Sequence, residues 1–398
     1  MQSFKGRSDK EFFGASICVL RNTGSLIPDY AIGAYNELGS SGLLKLMDPS
    51  GLTAGKIDVV SGESRKIRAE LREQDRDLTL GASVANVGDV DGDGYDDLVA
   101  GVADHSGGIG GALFNHSCAK VYSGATGKLL FKIDVESGDS VRVCALGDVD
   151  KDGTPDFACL SVGAPSVLTV VSTKARKPLR TIRAEDKEAW ESLALVGDLD
   201  GDKVQDLAVG SRDFTLNKHP VGVVRIFSPI SGKQVGGGLG DSTWSRIGLT
   251  VCRISDFDGD GVDDLAVGGC RDEGGGTDNV VAVRSGRDWH LIELLDFGDG
   301  PLGEITSLAP LPDLDGDGKN ELIVCAANCS SSHGSEDCCH VVSTGKKTSL
   351  AAFEGRIAVV ANQNEEHGAI TVLASSPFSG QGGEYRGAVR LYELLRDK

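Results

Sequence analysis

At five places in this chain, carboxylates recur at alternate positions of a nine-residue loop. The first set is Asp89, Asp91, Asp93 and Asp97, at positions 1, 3, 5 and 9 of DVDGDGYDD, with the carbonyl of Tyr95 at position 7. Hard oxygen donors spaced this way in a tight loop suit calcium. The same frame gives Asp148, Asp150, Asp152 and Asp156 with the Thr154 carbonyl, and Asp198, Asp200, Asp202 and Asp206 with that of Val204. It recurs as Asp256, Asp258, Asp260 and Asp264 with Val262, and as Asp313, Asp315, Asp317 and Glu321 with Lys319. Position 6 is Gly94, Gly153, Gly261 or Gly318, as a turn with positive φ requires. Lys203 stands there in the third loop, at a cost on the order of 1 kcal/mol if φ is positive. In the fifth, the longer Glu321 shifts the ion.

An EF-hand opens with a similar string but needs a bidentate Glu at position 12 and helical flanks. Position 12 here is Ala100, Cys159, Val209, Val267 or Val324, each inside an apolar run, so the loop has to close through the carboxylate at position 9. Acidic turns without metal are the plain alternative, since Asp and Gly favour turns. Five copies in register favour up to five structural calcium ions, because crowded carboxylates repel one another without a counter-ion. Those ions would offset about half of the formal charge of −19.

The elements that must hold these loops repeat with them. The leading aspartates are 59, 50, 58 and 57 residues apart. Each loop is flanked by short apolar runs, as in SVANVG before and LVAG after the first, and both flanks read as strands. Downstream come an alternating segment (119–124, 222–228, 279–286) and a further strand (128–133, 289–295). Two degenerate copies flank the five: FFGASICVL with PDYAIGA at the start, and 357–376 at the end, with Asn362, Asn364 and Glu366 in place of Asp. Seven units of four strands predict an all-β, seven-bladed β-propeller of antiparallel blades. The expected repeats are 12–79, 80–139, 140–189, 190–246, 247–303, 304–355 and 356–398, with 1–11 completing the last blade and closing the ring in a single domain.

LGASVANVGDVDGDGYDDLVAG (80–101) and IGLTVCRISDFDGDGVDDLAVGG (247–269) resemble the FG-GAP repeat of integrin α chains and of bacterial surface proteins. The FG pair is present as Phe13-Gly14 and GAP as Gly163 to Pro165. The resemblance implies that the calcium loops join the first two strands of each blade, on its lower face. Partners then bind the upper face, through the connections 102–118, 211–221, 270–278 and 326–338. Trp190 and Trp244 are expected near the upper rim, packing between blades or anchoring a ligand.

The acidic surface excludes nucleic acid as a partner. No run of about 20 apolar residues is present and the first residues are charged, so neither direct membrane insertion nor an export signal is expected in the chain as given. The cluster 325–340 holds four of the ten cysteines: a disulfide from Cys329 to Cys338 or Cys339, a zinc site and free thiols are all open readings. Cys144 and Cys159 are placed to face each other across two strands. Asn115 and Asn328 begin glycosylation patterns. No phosphate loop, nucleophile elbow or redox cysteine pair is visible, and the expectation is a protein that is not an enzyme. The function expected is a calcium-stabilised, integrin α-like module of recognition or adhesion that binds a protein through its upper-face loops. The alternative is a carbohydrate-binding propeller with a glycan ligand, or the non-catalytic module of a secreted enzyme, and more remotely a polysaccharide lyase or hydrolase. Calcium modules of this kind work outside the cell or at its surface, here as part of a longer exported protein.

Overall fold

The computed structural model describes residues 2–5, 12–21, 25, 27–35, 55–72, 79–103, 117–136, 138–185, 188–240, 244–273, 276–295, 304–331, 334–364, 369–377 and 387–395. Seven antiparallel sheets follow one another along the chain and form the blades of a seven-bladed β-propeller. The first blade is Phe12–Leu20, Asp29–Tyr35, Lys56–Val60 and Ile67–Arg72; the second is Ser83–Gly88, Asp97–Val102, Ser117–Tyr122 and Leu129–Val135. The third runs from Ser140–Ala145 through Phe157–Val162 and Val167–Ser172 to Lys177–Arg183. The fourth comprises Ser192–Leu195, Leu207–Ser211, Val223–Phe227 and Gln234–Leu239. The fifth has Val251–Ile254, Asp264–Glu273, Gly276–Arg284 and Leu291–Leu295, with the short Trp244–Ser245 added beside its second strand. The sixth has Glu304–Pro310, Leu322–Ser331, Gly334–Ser343 and Thr348–Glu354. In the seventh, Ile357–Asn364, Ala369–Ser376 and Ala388–Leu395 are joined by Gln2–Lys5 as fourth strand, as the closure expectation required.

Burial explains the sequence pattern of each strand type. Second and third strands such as Asp97–Val102 and Ser117–Tyr122 are buried throughout, so they read as near-continuous runs of small and β-branched residues. Fourth strands have one wet face and alternate, as in Leu129–Val135.

The chain divides into two compact units, Met1–Arg183 with Ser375–Arg390, and Ala184–Ala374 with Leu391–Lys398. In the first, Leu71, Leu80 and Leu98 join blades one and two, and Val121, Phe131 and Phe157 join two and three. In the second, Ile226 packs with Leu265, Leu295 with Leu322, and Val341 with Val372. Glycine on the second strand sets the approach of the next blade. A Cβ at Gly101 would lie 2.1 Å from the Val141 carbonyl oxygen, and one at Gly210 would lie 2.1 Å from that of Gly248.

Several expectations are corrected. Segments 270–278 and 326–338, read as connections, largely continue the paired second and third strands of blades five and six. Trp289 and His290, read as strand, precede Leu291–Leu295, and Trp289 has φ 68°. Cys159 lies opposite Val143 and Cys144 opposite Ala158, so the two do not face each other, and neither is in a disulfide. Cys339 is bonded to Cys325, its direct partner on the neighbouring strand, which removes the Cys329–Cys339 pairing and takes two ligands from a zinc reading. The Cys329–Cys338 alternative, the Asn115 and Asn328 patterns, Glu366 and the side chains of Asn362, Asn364 and Trp244 lie outside the described residues.

Candidate metal sites

All five acidic loops join the first strand of a blade to its second, in blades two to six. The side chain at position 1 organises each loop. Asp89 Oδ1 accepts from the N–H of Gly92 (2.7 Å) and Asp93 (3.1 Å), and its Oδ2 accepts from Gly94 (2.9 Å). Asp198 and Asp256 repeat the pattern to within 0.1 Å. This wrapping needs positive φ at position 4 as well as position 6. Gly92 (81°), Gly201 (81°), Gly259 (82°) and Gly316 (75°) supply the first. Sequence reasoning noticed only the second. Lysine is forced into the left-handed region once at each, as Lys151 at φ 60° and Lys203 at φ 71°.

Position 9 is the first residue of the second strand, or directly precedes it, and its carboxylate is 0 % exposed in every copy: Asp97, Asp156, Asp206, Asp264 and Glu321. One oxygen accepts a backbone N–H of its own loop, from Val90 (2.8 Å), Val149 (2.9 Å), Leu199 (2.8 Å), Phe257 (2.7 Å) or Leu314 (2.5 Å). The other accepts from the turn between third and fourth strands at Gly124 (2.9 Å), Thr173 (3.0 Å) and Gly286 (3.0 Å). Pro229 holds the corresponding place in the fourth blade and has no N–H to give. Asp206 Oδ1 is accordingly buried without a hydrogen-bond donor, and so is Glu321 Oε1 in the sixth blade. Burial pushes Asp97 up to about 6 and Asp206 and Glu321 up to about 7, against the pull of their backbone N–H partners. Asp156 and Asp264 are raised for the same reason.

Ligand oxygens of Asp89, Asp91 and Asp97 lie within 4.8 Å of one another, as do those of Asp148, Asp150 and Asp156, and of Asp198, Asp200 and Asp206. The fifth blade brings together Asp256, Asp258 and Asp260, and the sixth all four of Asp313, Asp315, Asp317 and Glu321. Four expected carboxylates therefore stand outside their clusters: Asp93, Asp152, Asp202 and Asp264. Each accepts hydrogen bonds within its own blade, as the clustered Asp260 and Asp97 also do. Asp93 Oδ1 accepts from the Tyr95 N–H (2.9 Å), Asp152 Oδ1 from that of Thr154 (2.9 Å), and Asp202 Oδ2 from the Ser228 hydroxyl (3.2 Å). Both oxygens of Asp264 are taken by backbone N–H groups.

The neighbouring turn between third and fourth strands belongs to the site and was not singled out from sequence. It begins at a serine in each case, Ser123, Ser172, Ser228, Ser285 and Ser343, and its fifth residue has positive φ: Gly127, Arg176, Gly232, Trp289 and Lys347. In three blades it delivers a cation to the loop. Lys174 Nζ donates to the Asp152 carbonyl, Arg287 Nε lies 2.7 Å from Asp260 Oδ2, and Lys346 Nζ lies 3.1 Å from Asp315 Oδ2. The turns of blades two and four carry Ala125 with Thr126 and Ile230 with Ser231 instead. The recurring serine is the signal a reader could have used.

Position 8 makes contacts that were also unforeseen. Asp96 Oδ2 ties blade two to blade one by accepting from the Arg21 N–H at 2.8 Å, and within the fifth blade Arg253 Nε on the first strand lies 2.7 Å from Asp263 Oδ2. Trp190, expected to pack or to anchor a ligand, is 1 % exposed, lies against Phe227 and donates to Glu188 at 3.0 Å, so it packs.

Fold and loops together define a seven-bladed β-propeller with acidic clusters that could hold metal ions. No family model matches the chain. Over 230 residues it is 29% identical to integrin alpha pat-2 of Caenorhabditis elegans, a match covering 50% of this chain and 18% of that protein. The chain thus spans less than a fifth of that relative's length. Among solved structures, BBS1N, in complex with ARL6DN and soaked with lead, has a TM-score of 0.55 at 11% identity, covering 96% of this chain and 92% of that one. This second likeness concerns the fold alone. No helix among the described residues is long and apolar enough to cross a membrane.

Proposed function

We propose that the chain is a calcium-stabilised, non-enzymatic recognition module that works outside the cell or at its surface, within a longer exported protein. One observation carries the reading: the same carboxylate cradle recurs at the same end of five successive blades, twice with a buried oxygen that no protein donor satisfies. Calcium held by the carboxylates at positions 1, 3 and 5 and the carbonyls of Tyr95, Thr154, Val204, Val262 and Lys319 would supply the missing positive charge, with the position 9 carboxylate closing the loop. Its role is structural, since the loop joins two strands of one blade. A protein partner binds at the opposite end, through the connections between second and third strands. The similarity to an integrin α chain supports recognition, and the Cys325–Cys339 disulfide supports an oxidising compartment. Extracellular calcium modules bind at about 0.1 to 1 mM, which only that setting supplies.

Melting the protein in millimolar calcium and in chelator tests the metal; the expected result is a lower melting temperature in chelator, and an unchanged one overturns calcium. Replacing Asp91 and Asp93 by Ala should reproduce the chelator effect in one blade. A panel of matrix proteins and glycans, probed with and without calcium, then tests the partner. Turnover of a polysaccharide would overturn the non-enzymatic reading.

A further inference from the structure

We infer that a cleft of about 510 Å³ at the end of blades four to six remote from the acidic loops is a carboxylate site, its ligand a single acidic side chain of a partner protein. The inference rests on the recognition reading above and gives it a location and a chemistry. Arg212, directly after the second strand of blade four, lines one side, and Glu304, the first residue of blade six, stands opposite. The two are ion-paired, and Arg212 Nε is also 3.4 Å from Glu191 Oε2, so the charge of this arginine is spent within the protein. Arg246 is different. It is exposed, lines the same cleft, and among the described residues no carboxylate pairs with it.

The backbone holds Arg246 in place at some cost. Its φ is 54°, a left-handed conformation unfavourable for any residue with a Cβ. It is kept there from both sides. Arg246 N–H donates to the Pro220 carbonyl (3.3 Å), and Ile247 is bridged to Gly222, where a Cβ would come within 2.2 Å of the Ile247 carbonyl oxygen. Strain of this sort persists only where the surroundings over-determine it, and it concentrates at ligand sites.

The rest of the cleft fits one short, mostly neutral segment. Gly268 and Gly269 present bare backbone, and Ile305 and Leu249 are apolar. The volume is that of an ordinary ligand pocket. A guanidinium recognises a carboxylate through two parallel hydrogen bonds, which Arg246 can supply. Against a chain of formal charge −19, an acidic tract would be repelled at long range, whereas a lone acid among neutral residues is not.

Cys270 offers a probe that needs no knowledge of the partner. Its thiol lies in the cleft, 3.1 Å from Asn279 Oδ1, and is partly exposed and not in a disulfide. The whole chain would be alkylated with iodoacetate or with neutral iodoacetamide, in the presence of N-acetylcysteine amide as reference thiol, and Cys270 quantified by peptide mapping. The iodoacetate-to-iodoacetamide rate ratio is expected to be about fivefold higher at Cys270 than at the reference, the effect of one unit charge several ångströms away in a partly solvated site. Arg246→Gly, whose glycine accepts the positive φ and so keeps the fold, should return the ratio to the reference value with the melting temperature undiminished. A capped neutral peptide with one Glu should slow alkylation of Cys270, and its Gln counterpart should not.

A wild-type ratio equal to the reference, a preference that survives Arg246→Gly, or equal protection by both peptides overturns the inference. Equal protection by inorganic phosphate overturns the carboxylate class. None of these outcomes touches the partner panel, which can still return a protein ligand. A panel returning only glycans would overturn the protein partner, on which the inference rests, whatever the thiol reports.

Discussion

The acidic loops of the fourth and fifth blades, DLDGDKVQD and DFDGDGVDD, wrap their leading aspartates through hydrogen bonds that agree to within 0.1 Å. They differ in what the adjoining turn offers. In the fifth blade Gly286 gives Asp264 its second donor and Arg287 reaches Asp260. In the fourth, Pro229 leaves Asp206 Oδ1 without a donor, and Ile230 stands where the fifth blade has Arg287. The cradle is set by the loop, while its charge balance is set by a turn more than 20 residues downstream. The fourth-blade loop should therefore depend more on a bound cation than the fifth.

Removing the cation ligands gives the largest expected effect. Asp198→Ala with Asp200→Ala should abolish about 2 to 3 kcal/mol of calcium-linked stability at saturating calcium, measured as the difference between denaturant curves with and without chelator. The matching pair Asp256→Ala and Asp258→Ala should lose less, and equal losses would break the comparison. Next comes Pro229→Thr, which restores the donor that Thr173 provides in the third blade. It should stabilise the protein in chelator by about 1 kcal/mol, and by less in calcium, where an ion would already satisfy Asp206. Arg287→Gln should cost under about 1 kcal/mol in chelator, because Arg287 is largely exposed, and should widen the calcium response of the fifth blade. Smallest is Lys203→Gly. Relief of the left-handed backbone, less the entropy glycine loses on folding, leaves a gain below about 1 kcal/mol in either condition.

The blade count, the position of the acidic loops and the strand supplied by residues 2–5 were legible because a propeller repeats its strand pattern at a fixed interval. Lys203 was legible as a strained residue from its place in the frame. What escaped was anything fixed by contacts between distant segments. Trp289 reads as strand beside LIELL, yet a turn shared by several blades fixes its φ. The pairing of Cys325 with Cys339 follows from the register of two strands, which cysteine spacing does not determine. Position 8 looks like filler until Asp96 is seen holding Arg21.

Gln2–Lys5 is the fourth strand of the seventh blade, where it pairs with Ala388–Leu395. During synthesis the ribosome makes this segment long before its partner, with six other blades in between. The seventh blade can be finished only after all of those have emerged, and until then one strand edge on each side stays open to other chains. Slow translation or crowding of nascent copies should therefore favour exchange of this strand between molecules.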